Sequence, residues 1–102
     1  MVITQDQAEQ RLIRDVDVVA KSVNEHVSSV LTQNQFDAVC SFVFNIGITR
    51  FLSSTMLKKL NASDFRGAAN EFPRWDMANG AHEKGIHNRR MKEKALFLEG
   101  MA

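Results

Sequence analysis

Ala8, Leu12, Val16, Val19, Val23 and Val27 recur at steps of three and four, with charged residues between them. That spacing puts them on one face of a helix. Thr4, with Gln7 three residues on, has the pattern of a capping box. A long first helix within residues 3–30 is therefore predicted. The next segment, "NQFDAVCSFVFNIG" from Asn34 to Gly47, has a different pattern. Phe36, Val39, Cys40, Phe42, Val43, Phe44 and Ile46 cover most of a helical circumference. Such β-branched and aromatic residues also suit a buried strand. Thr32 with Gln35, and Gly47 at the far end, are helix caps and decide for helix. A helix that is apolar all round has to be wrapped. This one is predicted to be the buried centre of the molecule.

The rest reads as shorter pieces. Ile48 and Phe51 can pin a turn. Ser53 or Ser54 can cap a helix that runs through Leu60 and stops at Asn61. Ser63 can cap another, with Asp64 in its first turn and Phe65, Ala68, Ala69 and Phe72 inward. Pro73 disfavours helical geometry at Phe72 and removes a donor, so a kink or break is expected there. "DMANGAHEKG", Asp76 to Gly85, reads as a loop. A last helix follows, with Ile86, Met91, Ala95 and Leu98 inward and Gly100 as its stop. The fold class is all-α: one compact domain over 1–102, with a long connecting-type helix at 3–30 and a helical lobe at 31–100.

Composition narrows the partners. The chain has 102 residues, 44% apolar and 25% charged, with a formal net charge of +1. Bulk charge this small gives no reason to expect a nucleic-acid or anionic-membrane partner. The single cysteine, Cys40, allows no intrachain disulfide and reads as a small buried hydrophobe. No apolar run reaches the length of a membrane span. No secretory signal is recognisable, so residence in the cytoplasm is the expectation.

Candidate chemistry is sparse. His82 and His87, with Glu83 between them, match no zinc-ligand spacing, and no metal or cofactor is expected. His26 beside Glu25 reads as a solvated polar pair. There is no nucleophile-elbow serine and no phosphate-cradling glycine loop. "HNRRMKEK", His87 to Lys94, is basic, but Glu93 and Glu99 dilute it to a solvated helix face. "ANEFPRWD" holds the only tryptophan, Trp75, between Arg74 and Asp76, with Glu71 a turn earlier. Trp75 can stack on a sugar or anchor a core.

Four blocks in order, "ITQDQAEQRLIRDV", "LTQNQFDAVCSFVFNIG", "FLSSTMLKKLNASDFRGAANEFPRWD" and "GIHNRRMKEKALFL", resemble the phage-type lysozymes, the lambdoid endolysins of the T4-lysozyme-like glycoside hydrolase family. The resemblance runs from about Ile3 to Leu98. It implies that the first helix is the one joining two lobes and that the rest is the helical C-terminal lobe. It also implies peptidoglycan as the partner, cleaved between N-acetylmuramic acid and N-acetylglucosamine. In that family the catalytic Glu, Asp and Thr lie in the N-terminal lobe, ahead of the "ITQ" block. Only Met1 and Val2 stand there in this sequence. The resemblance therefore carries over no catalytic residue and implies a truncated protein that is not catalytic alone.

Its groove wall carries over to Asn45, Ser53, Ser54, Arg74 and Trp75, with Arg89 and Arg90 in the basic run. Pro73, Asp76 and the absence of Pro before Gly85 depart from the family pattern. Two other readings stand beside this one. A repurposed lobe would bind and inhibit a host protein, using Asp76, His82 and His87. An active muramidase would need a non-standard site, for which Glu71 and Asp76 are the candidates, or a separate catalytic lobe. Ala8, Leu12 and Val16 would lose cover without a second lobe, which predicts self-association or a protein partner along the first helix.

Overall fold

The computed structural model describes residues 5–78 and 80–101, with side-chain surroundings for 16–77 and 80–101. Helix α1 spans Gln5–His26. Val19 and Val23 are buried and Val27 packs beside them, so the predicted stripe faces the core. Val16 is 49% exposed. The surroundings of Ala8, Leu12 and the Thr4 cap lie outside the described residues.

Helix α2, Gln33–Ile46, carries the predicted capping box. Gln35 N–H donates to Thr32 Oγ1 at 3.2 Å, and Thr32 N–H donates to Gln35 Oε1 at 2.9 Å. Gly47 ends the helix at φ 98°, where a side chain would be strained, and its N–H reaches Val43 O at 2.8 Å. Wrapping is less complete than the sequence implies. Ala38, Val39, Phe42 and Val43 are buried, but Ser41, Phe44 and Asn45 lie on an open flank, with Phe44 43% exposed. Among the described residues no helix covers Phe44 and Asn45.

Helix α3, Ile48–Leu52, replaces the expected turn and buries Phe51. Helix α4, Thr55–Asn61, is capped by Ser54, whose hydroxyl accepts from Leu57 N–H at 3.2 Å and donates to Phe51 O at 2.6 Å. Asn61 does more than stop this helix. Its Oδ1 accepts from Ser28 N–H at 2.8 Å and its Nδ2 donates to His26 O at 3.0 Å, tying the end of α4 to the end of α1. Helix α5, Phe65–Ala69, is capped by Asp64, not Ser63: Gly67 N–H donates to Asp64 Oδ1 at 3.0 Å. Ser63 sits at φ 59°, outside the extended geometry a capping residue adopts.

Helix α5 ends at Ala69, ahead of the break expected at Pro73, and Pro73 sits at the start of a 3-10 turn over Phe72–Trp75. The predicted loop at Asp76–Gly85 contains a minimal antiparallel hairpin. Strand β1, Met77–Ala78, pairs with β2, Ala81–His82, in the register Met77↔His82 and Ala78↔Ala81. The Asn-Gly between the strands is the sequence signal for such a turn. The last helix, α6, spans Lys84–Glu99. Glu83 caps it, accepting from Gly85 N–H at 3.0 Å and Ile86 N–H at 2.7 Å, and those bonds hold its carboxyl below the usual glutamate range.

The inward face of α6 differs from the one the sequence suggests. Met91, Ala95 and Leu98 point outward; Arg90, Glu93 and Phe97 are buried. Arg90 Nε lies 2.7 Å from Glu93 Oε1, so the helix turns an ion pair toward α2. At the other end of α6, a Cβ on Gly100 would collide with Thr32 Oγ1, so only glycine lets α6 close on the α2 capping box. Phe42 is the hub of the core: the Phe72 ring stands edge-on at 5.3 Å, Trp75 edge-on at 5.8 Å, and the Arg90 guanidinium carbon 5.2 Å from its centroid.

Candidate functional site

The open flank of α2 forms one wall of a groove of about 410 Å³ between α1 and α6. Val16, Val19, Cys40, Ser41, Phe44, Asn45 and Arg89 line it. Its rim is apolar, with one amide and one guanidinium. Behind it, Ser41 Oγ donates to Glu93 Oε2 at 2.6 Å, and Arg90 Nη2 donates to the same oxygen at 3.2 Å. Burial pushes the Glu93 carboxyl up; the Ser41 hydroxyl and Arg90 pull it back. The Arg90–Glu93 pair keeps its charges matched away from water. Burial, with the charge of Asp37, raises the Cys40 thiol to about 11, so it remains an unreactive thiol at neutral pH.

A second hollow, about 280 Å³, is lined by Thr55, Met56, Glu71, Arg74 and Trp75. Glu71 is buried there between Lys59 at 3.3 Å and Arg74 at 3.0 Å. Trp75 is half-buried and packed on Phe42, so it serves the core and still shows one edge to this hollow.

Asp76 is buried at the start of the hairpin and holds two imidazoles: His82 Nδ1 at 2.6 Å from Oδ1 and His87 Nδ1 at 3.0 Å from Oδ2. Glu83 N–H bonds its carbonyl at 2.9 Å. The clasp ties the hairpin to the first turn of α6. It holds the Asp76 carboxyl below the usual range, chiefly through the His82 bond, against an opposing effect of burial. A general acid needs the opposite shift.

The wall residues proposed from the sequence do not form one surface. Asn45 lies in the first groove, and Arg74 and Trp75 lie in the second hollow. Ser53 is exposed and bonds back to Arg50 O at 3.2 Å, outside both. Ser54 is buried as the α4 cap and cannot touch a ligand. Arg89 and Arg90 separate, one lining the groove and the other inside the core. Glu71 and Asp76 are committed to different partners and do not face one another as an acid pair. His82 and His87 share a carboxylate, yet no group of three ligating residues among those described can hold a metal ion. Ser41 and Glu93 were missed from the sequence. An Arg three residues before a Glu in "RRMKE" was the available signal.

A family model described as phage lysozyme matches residues 1–93. The chain belongs to the phage lysozyme family. It is 51% identical over 100 residues to the endolysin of Acyrthosiphon pisum secondary endosymbiont phage 1, covering 94% of this chain and 68% of that protein. With the endolysin of Salmonella phage P22 the identity is 39%, over 96% of this chain and 66% of the other. Among solved structures, the endolysin of Escherichia coli O157:H7 phage FAHEc1 superposes with a TM-score of 0.82 at 38% identity, covering 97% of this chain and 65% of that one. The muramidase domain of SpmX from Asticaccaulis excentricus gives 0.83 at 38% identity, over 94% and 68%. The chain thus spans about two thirds of the length of these phage lysozyme relatives. The all-α lobe follows the family fold, and among the described residues no helix is long and apolar enough to cross a membrane.

Proposed function

We propose that this chain supplies a helical wall for binding and cleavage of peptidoglycan glycan, and does not itself supply the acid–base pair. The kinship with endolysins and a muramidase domain supports the substrate class. The commitment of the carboxylates carries the second half. Glycoside hydrolysis needs two carboxyl groups facing one bond, about 5–9.5 Å apart. Here Glu71 is held by Lys59 and Arg74, Asp76 by two histidines, Glu83 by backbone amides, and Glu93 by Arg90 and Ser41. None of these four is free to protonate a leaving oxygen. Purified chain incubated with Gram-negative peptidoglycan is expected to release no muropeptides by mass spectrometry. Muramidase products that vanish in Glu71→Gln or Asp76→Asn would overturn the proposal.

The exposed Val16 and Phe44 favour a companion reading, in which a protein seats on the α1–α2–α6 groove. A separate catalytic lobe or a second copy would cover these side chains and put Arg89 and Asn45 beside its own polar groups. A host protein held for inhibition would instead use the hairpin face around Asp76, His82 and His87. Sedimentation is expected to show association that Leu12→Glu or Phe44→Glu abolishes. A clean monomer at high micromolar concentration would rule out the second copy and leave the separate lobe to be tested by mixing.

A further inference from the structure

A further hollow, of about 300 Å³, opens where α1 passes into α2. Val23 and Asn24 line it from the last turns of α1, Ser29 from the connection, and Gln33 and Phe36 from the start of α2. One half is apolar. Val23 is buried, and Val27 and Phe36 are half-buried and packed against the core. The other half is polar. Ser29 Oγ is shielded from water and has no hydrogen-bond partner among the described residues. Gln33 Nε2 donates to Asp37 Oδ1 at 2.8 Å, which leaves the Gln33 side-chain carbonyl as an acceptor. Gln33 N–H, at the first position of α2, has no intrahelical partner. Asn24 is exposed, and its carboxamide carries both donors and an acceptor. Among the described residues no charged side chain lines this hollow. The two sites described above differ in this respect, because they hold Arg89 and Arg74.

We propose that the hollow binds one N-acetylated sugar ring and gives the glycan strand a second contact, at the opposite end of α2 from the groove. A charged ligand would lose its hydration there and meet no counter-charge. A wholly apolar ligand would leave the Ser29 hydroxyl and the Gln33 groups unmatched. A neutral ligand with hydroxyls, one amide and an apolar face suits both halves. The acetamido methyl would rest on Val23 and Val27. Its carbonyl would accept from the Ser29 hydroxyl, and its N–H would donate to Gln33 Oε1. A volume of about 300 Å³ is at the small end for ligand pockets and suits one ring, not a chain. Phe36 and Asn45 stand nine residues apart on α2, so about 14 Å of helix separates the hollow from the groove. No carboxylate among the described residues lines the hollow, so it holds glycan without cleaving it. The proposal rests on the glycan reading for its class of ligand.

The test is an amide NMR titration of the isotope-labelled intact chain with triacetylchitotriose, and in parallel with cellotriose, which has the same rings without the acetamido groups. Saturable shifts at Asn24, Ser29 and Gln33 are expected with triacetylchitotriose and not with cellotriose. Ser29→Ala should weaken binding about five-fold, the loss of one hydrogen bond. The same change should leave stability in urea unchanged or raised, because it removes a buried hydroxyl that has no partner in the fold. Shifts confined to Asn45 and Arg89 would overturn this site and keep the glycan wall. Shifts confined to the hollow would support this site and remove the groove as the wall. Shifts at neither would overturn both. Equal response to cellotriose overturns the acetamido assignment, and undiminished binding by Ser29→Ala overturns the role of its hydroxyl.

Discussion

Helices α2 and α6 pack on each other, yet they meet the core with opposite chemistry. α2 offers Ala38, Val39, Phe42 and Val43, a plain apolar face. α6 offers Arg90 and Glu93 with Phe97. The α2 face is stabilised by removal of apolar area from water. The α6 face requires an ion pair that matches its own desolvation, a Ser41 hydroxyl reaching across from α2, and the Phe42 ring under the guanidinium. An apolar face tolerates loss of one contact in proportion to its area. A buried ion pair does not, because removing one partner strands the other.

The largest effect should therefore come from breaking that pair. Arg90→Met leaves Glu93 buried without its cation and is expected to cost about 3–5 kcal/mol in urea unfolding. The double change Arg90→Met with Glu93→Leu should recover most of the loss, and an exposed ion pair would show no such recovery. If the single change were nearly neutral, the two faces would not differ in kind. Trp75→Ala comes next. Trp75 stands edge-on to Phe42, so it belongs to the α2 side of the comparison, and its half-burial limits the cost to about 3 kcal/mol. A much smaller loss would return Trp75 to the role of a surface platform. Thr32→Ala, at the α2 capping box, should cost about 1 kcal/mol and leave the unfolding slope unchanged.

The same comparison explains what was legible in the sequence. α2 was readable at both ends, because Thr32, Gln35 and Gly47 are local signals, although Phe44, expected inside, is exposed. The caps at Ser54 and Gly100 were readable as local signals too. α6 was readable as a helix but not in its facing. Hydrophobic periodicity assigns Met91, Ala95 and Leu98 to the core, and only tertiary partners, Ser41 and Phe42, reveal that Arg90 and Glu93 go there instead. One candidate wall residue was misleading for a related reason: Ser54 carries a hydroxyl that looks available and is spent inside the fold.

Asp76 gives the comparison a pH signature. Its folded-state carboxyl lies below the ordinary aspartate value of about 3.9, so the unfolded chain binds protons first as pH falls. The stability contributed by the clasp is complete above that value and is lost as pH drops through the lower folded value. Asp76→Asn should flatten the acid limb of the stability curve between about pH 5 and pH 2. An unchanged acid limb would mean that the two imidazoles hold the hairpin without drawing on the carboxylate charge.

The smallest effect is the most discriminating. If α6 were an ordinary amphipathic helix in the register its sequence suggests, Met91→Gln and Leu98→Gln would each open the core and cost about 2 kcal/mol or more. In the observed facing both side chains are at the surface, and each change should stay within about 0.5 kcal/mol. The pair of measurements thus separates two helices that share every residue and differ only in rotation about their axis.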